Sequence, residues 1–178
     1  AGAEVTLVAG PVHLQTPRGV QRINVQSARN MLQTVEQHAQ AATVFIATAA
    51  VADWRPAVQA EQKIKKDGSG QMPTLEFVEN PDILAVVAQS PHALTGDLFC
   101  VGFAAESEDL LKHASAKRVR KGVPLLVGNI GPATFGQDDN ALLLIDADGH
   151  HELPRASKRL LAQQLVADIA GRLPVRSS

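Results

Sequence analysis

Asp53 closes an apolar run in the stretch TVFIATAAVADWRPAVQAEQKIKK, residues 43–66, and Lys63, Lys65 and Lys66 follow it. An acid just past a strand end, with flexible lysines reaching back over it, has the chemistry to hold a polyphosphate and its metal ion. The same residues also read as a buried strand, a surface acid and a solvated basic loop. Their spacing leaves both readings open.

Two common glycine-rich ways of binding a nucleotide, GxGxxG and GxxxxGK[ST], are absent, so a phosphate site here must be built from side chains and helix ends. Three groups qualify. Lys63 stands before the Gly68–Gly70 turn region, where a lysine on a glycine-containing segment can close over phosphate. Lys117 and Lys121, in ASAKRVRKG with Arg118 and Arg120, are four residues apart and share one helix face, so both ammonium groups can meet one triphosphate. Positive charge in a last helical turn also stabilises the helix dipole with no ligand. The third group is Asn80-Pro81-Asp82-Ile83, where free amides at a helix start can receive an anion or a base carbonyl, although capping alone accounts for Asn80 and Pro81.

Asp53 reads either as a ligand for a metal or a hydroxyl at the end of a parallel strand, or as an ordinary loop acid. Phe103 is core or flanks a base. His150 and His151 are adjacent in a turn and no HExxH pair occurs, so the histidines do not organise a metal site. Cys100, the only cysteine, lies in the apolar run LFCVGFA; it rules out an internal disulfide and fits a reducing compartment.

The 178 residues carry a net charge of −1, which lacks the basic field expected of an extended nucleic-acid interface. No apolar stretch approaches the ~20 residues needed to span a bilayer, and no leader pattern opens the chain. We expect a cytoplasmic, single-domain protein of residues 1–178. The opening AGAEVTLVAGP enters a strand almost at once and reads as part of a longer chain.

Short β-branched runs alternate with amphipathic stretches, the pattern of an α/β domain with a mostly parallel sheet. Strands are expected over 4–9, 21–25, 43–49, 74–78, 98–104, 123–127 and 141–146. Strands near 141–146 and 152–153, with an Asp148-Gly149 turn, read as a hairpin at the sheet edge. Ser27 should cap a helix to about Ala41, and Asn80 should cap a helix from Pro81 to about Gln89. Ser107 should open a helix ending at Gly122, and a last helix should cover about Arg155 to Leu173.

Seven segments, in order, resemble one family: VTLVAGPV at 5–12, AAVADW at 49–54, KIKK at 63–66, NPDIL at 80–84, VGFAAE at 101–106, then KRVRK and FGQDDNALLLI. The chain is similar to the bacterial phosphopantothenoylcysteine synthetase domain, the CTP-dependent phosphopantothenate-cysteine ligase of coenzyme A biosynthesis. The resemblance implies a Rossmann-like three-layer αβα fold, a homodimer and a requirement for Mg2+ with CTP. It implies CTP contact by Ala47, Thr48, Ala49, Asp53, Lys63, Pro81, Asp82, Ile83, Leu84, Phe103, Lys117 and Lys121; of these we assign Lys63 the catalytic role, closest to the reacting phosphate.

The other implied substrates are 4′-phosphopantothenate and L-cysteine, and a flavin-dependent decarboxylase is fused to this domain in many relatives. A non-catalytic nucleotide-binding module of the same fold is the alternative. The family's usual upstream strand, GGT-type turn and Asn-x-Ser-Ser-Gly loop precede the point where this sequence starts, which implies impaired ligation by this stretch alone. Trp54 stands where tyrosine is usual, and Ile130 where an aspartate commonly follows asparagine.

Overall fold

The computed structural model describes residues 2–58, 74–106, 109–130 and 137–174, with the backbone alone at Glu106 and Ile130. In chain order its elements are β1 Val5–Ala9, β2 Val20–Asn24, α1 Ala28–Ala39, β3 Val44–Ala47, β4 Trp54–Pro56, β5 Phe77–Glu79, α2 Ile83–Ala88 and α3 Pro91–Leu94. They continue with β6 Phe99–Glu106, α4 Leu110–Lys121, β7 Leu125–Ile130, β8 Asp139–Ile145, β9 His150–Ser157 and α5 Lys158–Arg172.

The main sheet runs β3-β6-β7-β8-β9. β3, β6 and β7 pair in parallel, and β8 turns back against β7 before β9 returns against β8. The expected α/β class and edge hairpin are therefore present. β6 is buried on both faces, as its unbroken apolar run FCVGFAA requires. Strand alternation divides it: Cys100 and Ala104 join one core with Val35, Leu84, Val87, Ala114 and Leu126, while Val101 joins another with Leu161, Leu165 and Ile169. These two cores lie on opposite sheet faces, α1, α2 and α4 on one and α5 on the other, which makes the three layers.

β1 and β2 form a separate parallel pair, and β4 and β5 a short antiparallel ribbon. Arg22 on β2 pins the connection between β1 and β2, donating from Nη1 to the Leu14 carbonyl at 2.6 Å and from Nη2 to that of Val12 at 3.3 Å. At the far end, Arg172 joins α5 to the hairpin through Asp146 at 2.7 Å, and within α5 it pairs with Asp168 one turn earlier at 2.5 Å. The Asp146 carboxylate also takes the amides of Asp148 and Gly149, which closes the expected turn.

Several boundaries differ from the sequence expectation. The segment expected as a buried strand over 43–49 is shorter and lies at the sheet edge, with Ile46 39% exposed, because among the described residues β3 has a ladder partner only in β6. The strand expected over 74–78 is displaced to Phe77–Glu79, where the ribbon pairing with Trp54–Pro56 selects it. The last helix starts at Lys158, since Arg155 is held in β9 by a two-bond pair with Asp139 across the hairpin, and Ser157 caps the helix instead. α4 begins at Leu110; the expected opening residue Ser107 lies outside the described residues. Ser27 caps α1 as expected, its hydroxyl accepting from the Asn30 amide.

No helix among the described residues is long and apolar enough to cross a membrane.

The closest approach in the α2 layer is at Gly102, where an added Cβ would lie 2.5 Å from Leu84 Cδ2 and 2.7 Å from Leu126 Cδ1. Gly102→Ala is therefore expected to lower stability by about 1–3 kcal/mol through overpacking. A lower urea midpoint at unchanged slope would show it, and an unchanged midpoint would mean that both leucines relax without cost.

Candidate functional site

The site grows from the end of β3. Ala47 is the register partner of Gly102, and Thr48 and Ala49 follow it as exposed residues outside the strand. The chain then reaches Asp53, also exposed, and enters the ribbon. Pairing of Trp54 with Glu79 brings Asp53 beside Asn80, whose amide donates to the Asp53 carbonyl at 2.7 Å.

Asn80 was expected to cap the following helix, and it does not. Its Nδ2 donates to the Ala52 carbonyl at 2.8 Å, and its Oδ1 accepts from Arg55 Nη1 at 3.2 Å. The same guanidinium nitrogen donates to the Glu79 carbonyl. Asp82 is the cap, with Oδ1 accepting from the Ala85 amide at 3.1 Å, so the helix starts at Ile83 and Pro81 precedes the cap. Two capping residue types stand two positions apart in NPD, and the neighbouring loop claims the first.

α4 supplies the positive charge. Its last turn carries Arg118, Arg120 and Lys121, and Gly122 ends it in the left-handed conformation at φ 68°. Arg118 is spent on structure, donating to the Val123 carbonyl at 3.2 Å. Lys121 crosses to α2 and donates to Asp82 Oδ2; its side chain is 16% exposed and that of Asp82 44%. Lys117, half-buried, lies one turn earlier on the same helix face.

Partial burial pushes the Asp82 carboxyl upward, but the Lys121 hydrogen bond, the Ala85 amide and the charges of Lys121 and Arg120 outweigh it. Its pKa lies below the ordinary carboxylate value, and the group is an anion at neutral pH.

The structure thus gathers Asp53, Pro81, Asp82 and Lys121, with Ala47 at the adjoining strand end. Ile83 and Leu84 are each 8% exposed and belong to the core, so only their backbone is open to a ligand. Phe103 packs with the core on the α5 face of the sheet, opposite the layer that carries Asp82 and Lys121. Lys63, with Lys65, Lys66 and the Gly68–Gly70 segment, lies outside the described residues.

Among the described residues no group of three His, Cys, Asp or Glu side chains could hold a metal ion. Arg55 is the residue that the sequence reading missed. A lone arginine between Trp54 and Pro56 carries no spacing signature, and its role depends wholly on the ribbon that brings Asn80 to it.

The family model for the DNA/pantothenate metabolism flavoprotein C-terminal domain matches residues 1–173. The coenzyme A biosynthesis bifunctional protein CoaBC of Vibrio cholerae is 48% identical over 169 residues, which is 93% of this chain and 41% of that protein. The chain therefore spans about two fifths of the length of the curated relatives it matches. Among solved structures, the C-terminal domain of a CoaBC protein superposes with a TM-score of 0.74 at 32% identity, covering 94% of this chain and 74% of that one. A Cab2 mutant in complex with phosphopantothenate-cysteine has a TM-score of 0.64 over 84% of this chain and 53% of that one; at 15% identity the likeness is one of fold.

Removing the Asn80 side chain should loosen the Asp53 turn without unfolding the sheet. In Asn80→Ala, amide exchange at position 80 and at Ala57 is expected to quicken about tenfold, with Val101 unchanged. Equal quickening at all three sites would mean that Asn80 supports the whole fold rather than this turn.

Proposed function

The chain belongs to the DNA/pantothenate metabolism flavoprotein C-terminal domain family, and from that membership and the site we propose that it carries out the ligase step of coenzyme A biosynthesis. The reaction joins 4′-phosphopantothenate to L-cysteine and is driven by CTP. The observation that supports this reading best is the Lys121 ammonium brought to the start of α2, where it already holds the Asp82 carboxylate two residues after the Asn80 that is bonded to the Asp53 turn.

A carboxylate is a poor electrophile, so it must be activated before an amine can attack. The carboxylate of 4′-phosphopantothenate attacks the α-phosphorus of CTP, forming an acyl cytidylate and releasing pyrophosphate. The amine of cysteine then attacks the acyl carbon, CMP leaves with the bonding pair, and the amine proton passes to solvent. In the first step two anions must be held together while charge grows on the leaving pyrophosphate.

Lys63, Lys117 and Lys121 are assigned to that charge, with Lys63 nearest the reacting phosphate. Mg2+, once bound with CTP, would add to that neutralisation. Asp53 orients a ligand hydroxyl or the ion's waters. Ala47, Thr48 and Ala49 contact CTP at the strand end, and Pro81, Asp82, Ile83 and Leu84 at the helix start.

The name bifunctional borne by the relatives supports a second activity in the same polypeptide, which we assign to a flavin-dependent decarboxylase. The working unit is a cytoplasmic homodimer.

The test is pyrophosphate release by the full-length protein, which should require CTP, Mg2+ and 4′-phosphopantothenate together. Lys63→Ala is expected to slow cytidylate formation by about a hundredfold or more with the urea midpoint unchanged. CTP binding with no phosphopantothenate-dependent pyrophosphate would leave a nucleotide-binding module and end the ligase reading.

A further inference from the structure

We infer that Asp82 is a resident counter-anion for Lys121: its carboxylate occupies the lysine in the unliganded protein, and a polyphosphate enters by exchange with it. This deepens the proposed nucleotide site and rests on that reading.

The two oxygens of Asp82 have separate tasks. Oδ1 accepts from the Ala85 amide and caps α2, whereas Oδ2 accepts from Lys121 Nζ. The cap already has its acceptor, so the helix start has no use for the second oxygen. Lys121, at 16% exposure, is too enclosed for its charge to be fully solvated, and a desolvated ammonium needs an anion beside it. Asp82, at 44% exposure, faces solvent and is open to an incoming competitor.

The field around the pair favours such exchange. Arg120 adds positive potential at Asp82, and Lys117 lies one turn from Lys121 on the same face. A triphosphate brings several charges to this cluster, against one on the carboxylate. Once the polyanion leaves, the carboxylate returns to the lysine. Asp82 thereby holds affinity below what Lys121 without its carboxylate would provide, which helps a product anion depart.

The contrary reading is that the pair only fastens α2 to α4. The two separate under Asp82→Asn, because asparagine keeps a cap acceptor at Oδ1 and loses the charge at the second position. Asp82→Ser also caps, and serves as the second variant should the first fail to fold. Calorimetric titration of the full-length protein with inorganic tripolyphosphate, and separately with CTP, reads the result.

Either variant is expected to bind tripolyphosphate about three- to tenfold tighter at low salt, with the gain shrinking near 0.5 M salt as charges are screened, roughly as the Debye length falls. In a Lys121→Ala background the gain should fall to less than half, since the coupled partner is gone. Unchanged or weaker binding by the variants, or the same gain without Lys121, overturns the exchange. Tripolyphosphate binding that tightens as expected without any CTP preference over it would uphold the exchange and remove the nucleotide reading. Binding of neither probe to the unmutated protein would remove both.

Discussion

The seating of α2 against β6 is the constraint on which the rest of the site depends. α2 has six residues, too few to hold a helix in water, and it persists because Ile83, Leu84, Val87 and Ala88 are buried against the sheet and the neighbouring helices. Gly102 lets Leu84 lie where a Cβ would stand. Register then places Ala47 alongside Gly102, so the strand end and the helix start share one support. Without that packing, Asp82 would have no fixed position from which to meet Lys121.

Polar contacts then place what packing leaves free. The Asp53 turn has no core of its own, and hydrogen bonds from Asn80 to the Ala52 and Asp53 carbonyls hold it. Arg55 ties the same asparagine to the ribbon. Elsewhere, Arg155 binds Asp139 within the hairpin, and Arg172 ties the hairpin to α5 through Asp146. Those arginines hold the hairpin together and fix its junction with α5. Charge thus makes joints throughout the domain, and at the start of α2 it brings the Lys121 ammonium to Asp82.

Much of this arrangement is legible in the residue order. Ser27 and Gly122 mark a helix start and a helix end because capping is local chemistry, set by residues within a turn of each other. The run FCVGFAA announces a strand covered on both faces, and the spacing of Lys117 and Lys121 announces one helix face. The errors fall where a distant partner outbids a local one. Asn80 is a good cap by type, yet Ala52 and Arg55 occupy its amide; Arg155 sits in a helix-forming stretch, yet Asp139 across the hairpin keeps it extended.

Sequence alone determined the α/β class, the edge hairpin and the family, because periodicity, caps and ordered motifs are properties of neighbours along the chain. Tertiary structure alone decided that β3, among the described residues, pairs only with β6, that Asp82 rather than Asn80 starts α2, and that Phe103 packs on the α5 face of the sheet. It also decided that Lys121 reaches Asp82 across 39 positions of sequence. A pairing of that kind is set by how two helices pack on one sheet, and no spacing along the chain encodes it.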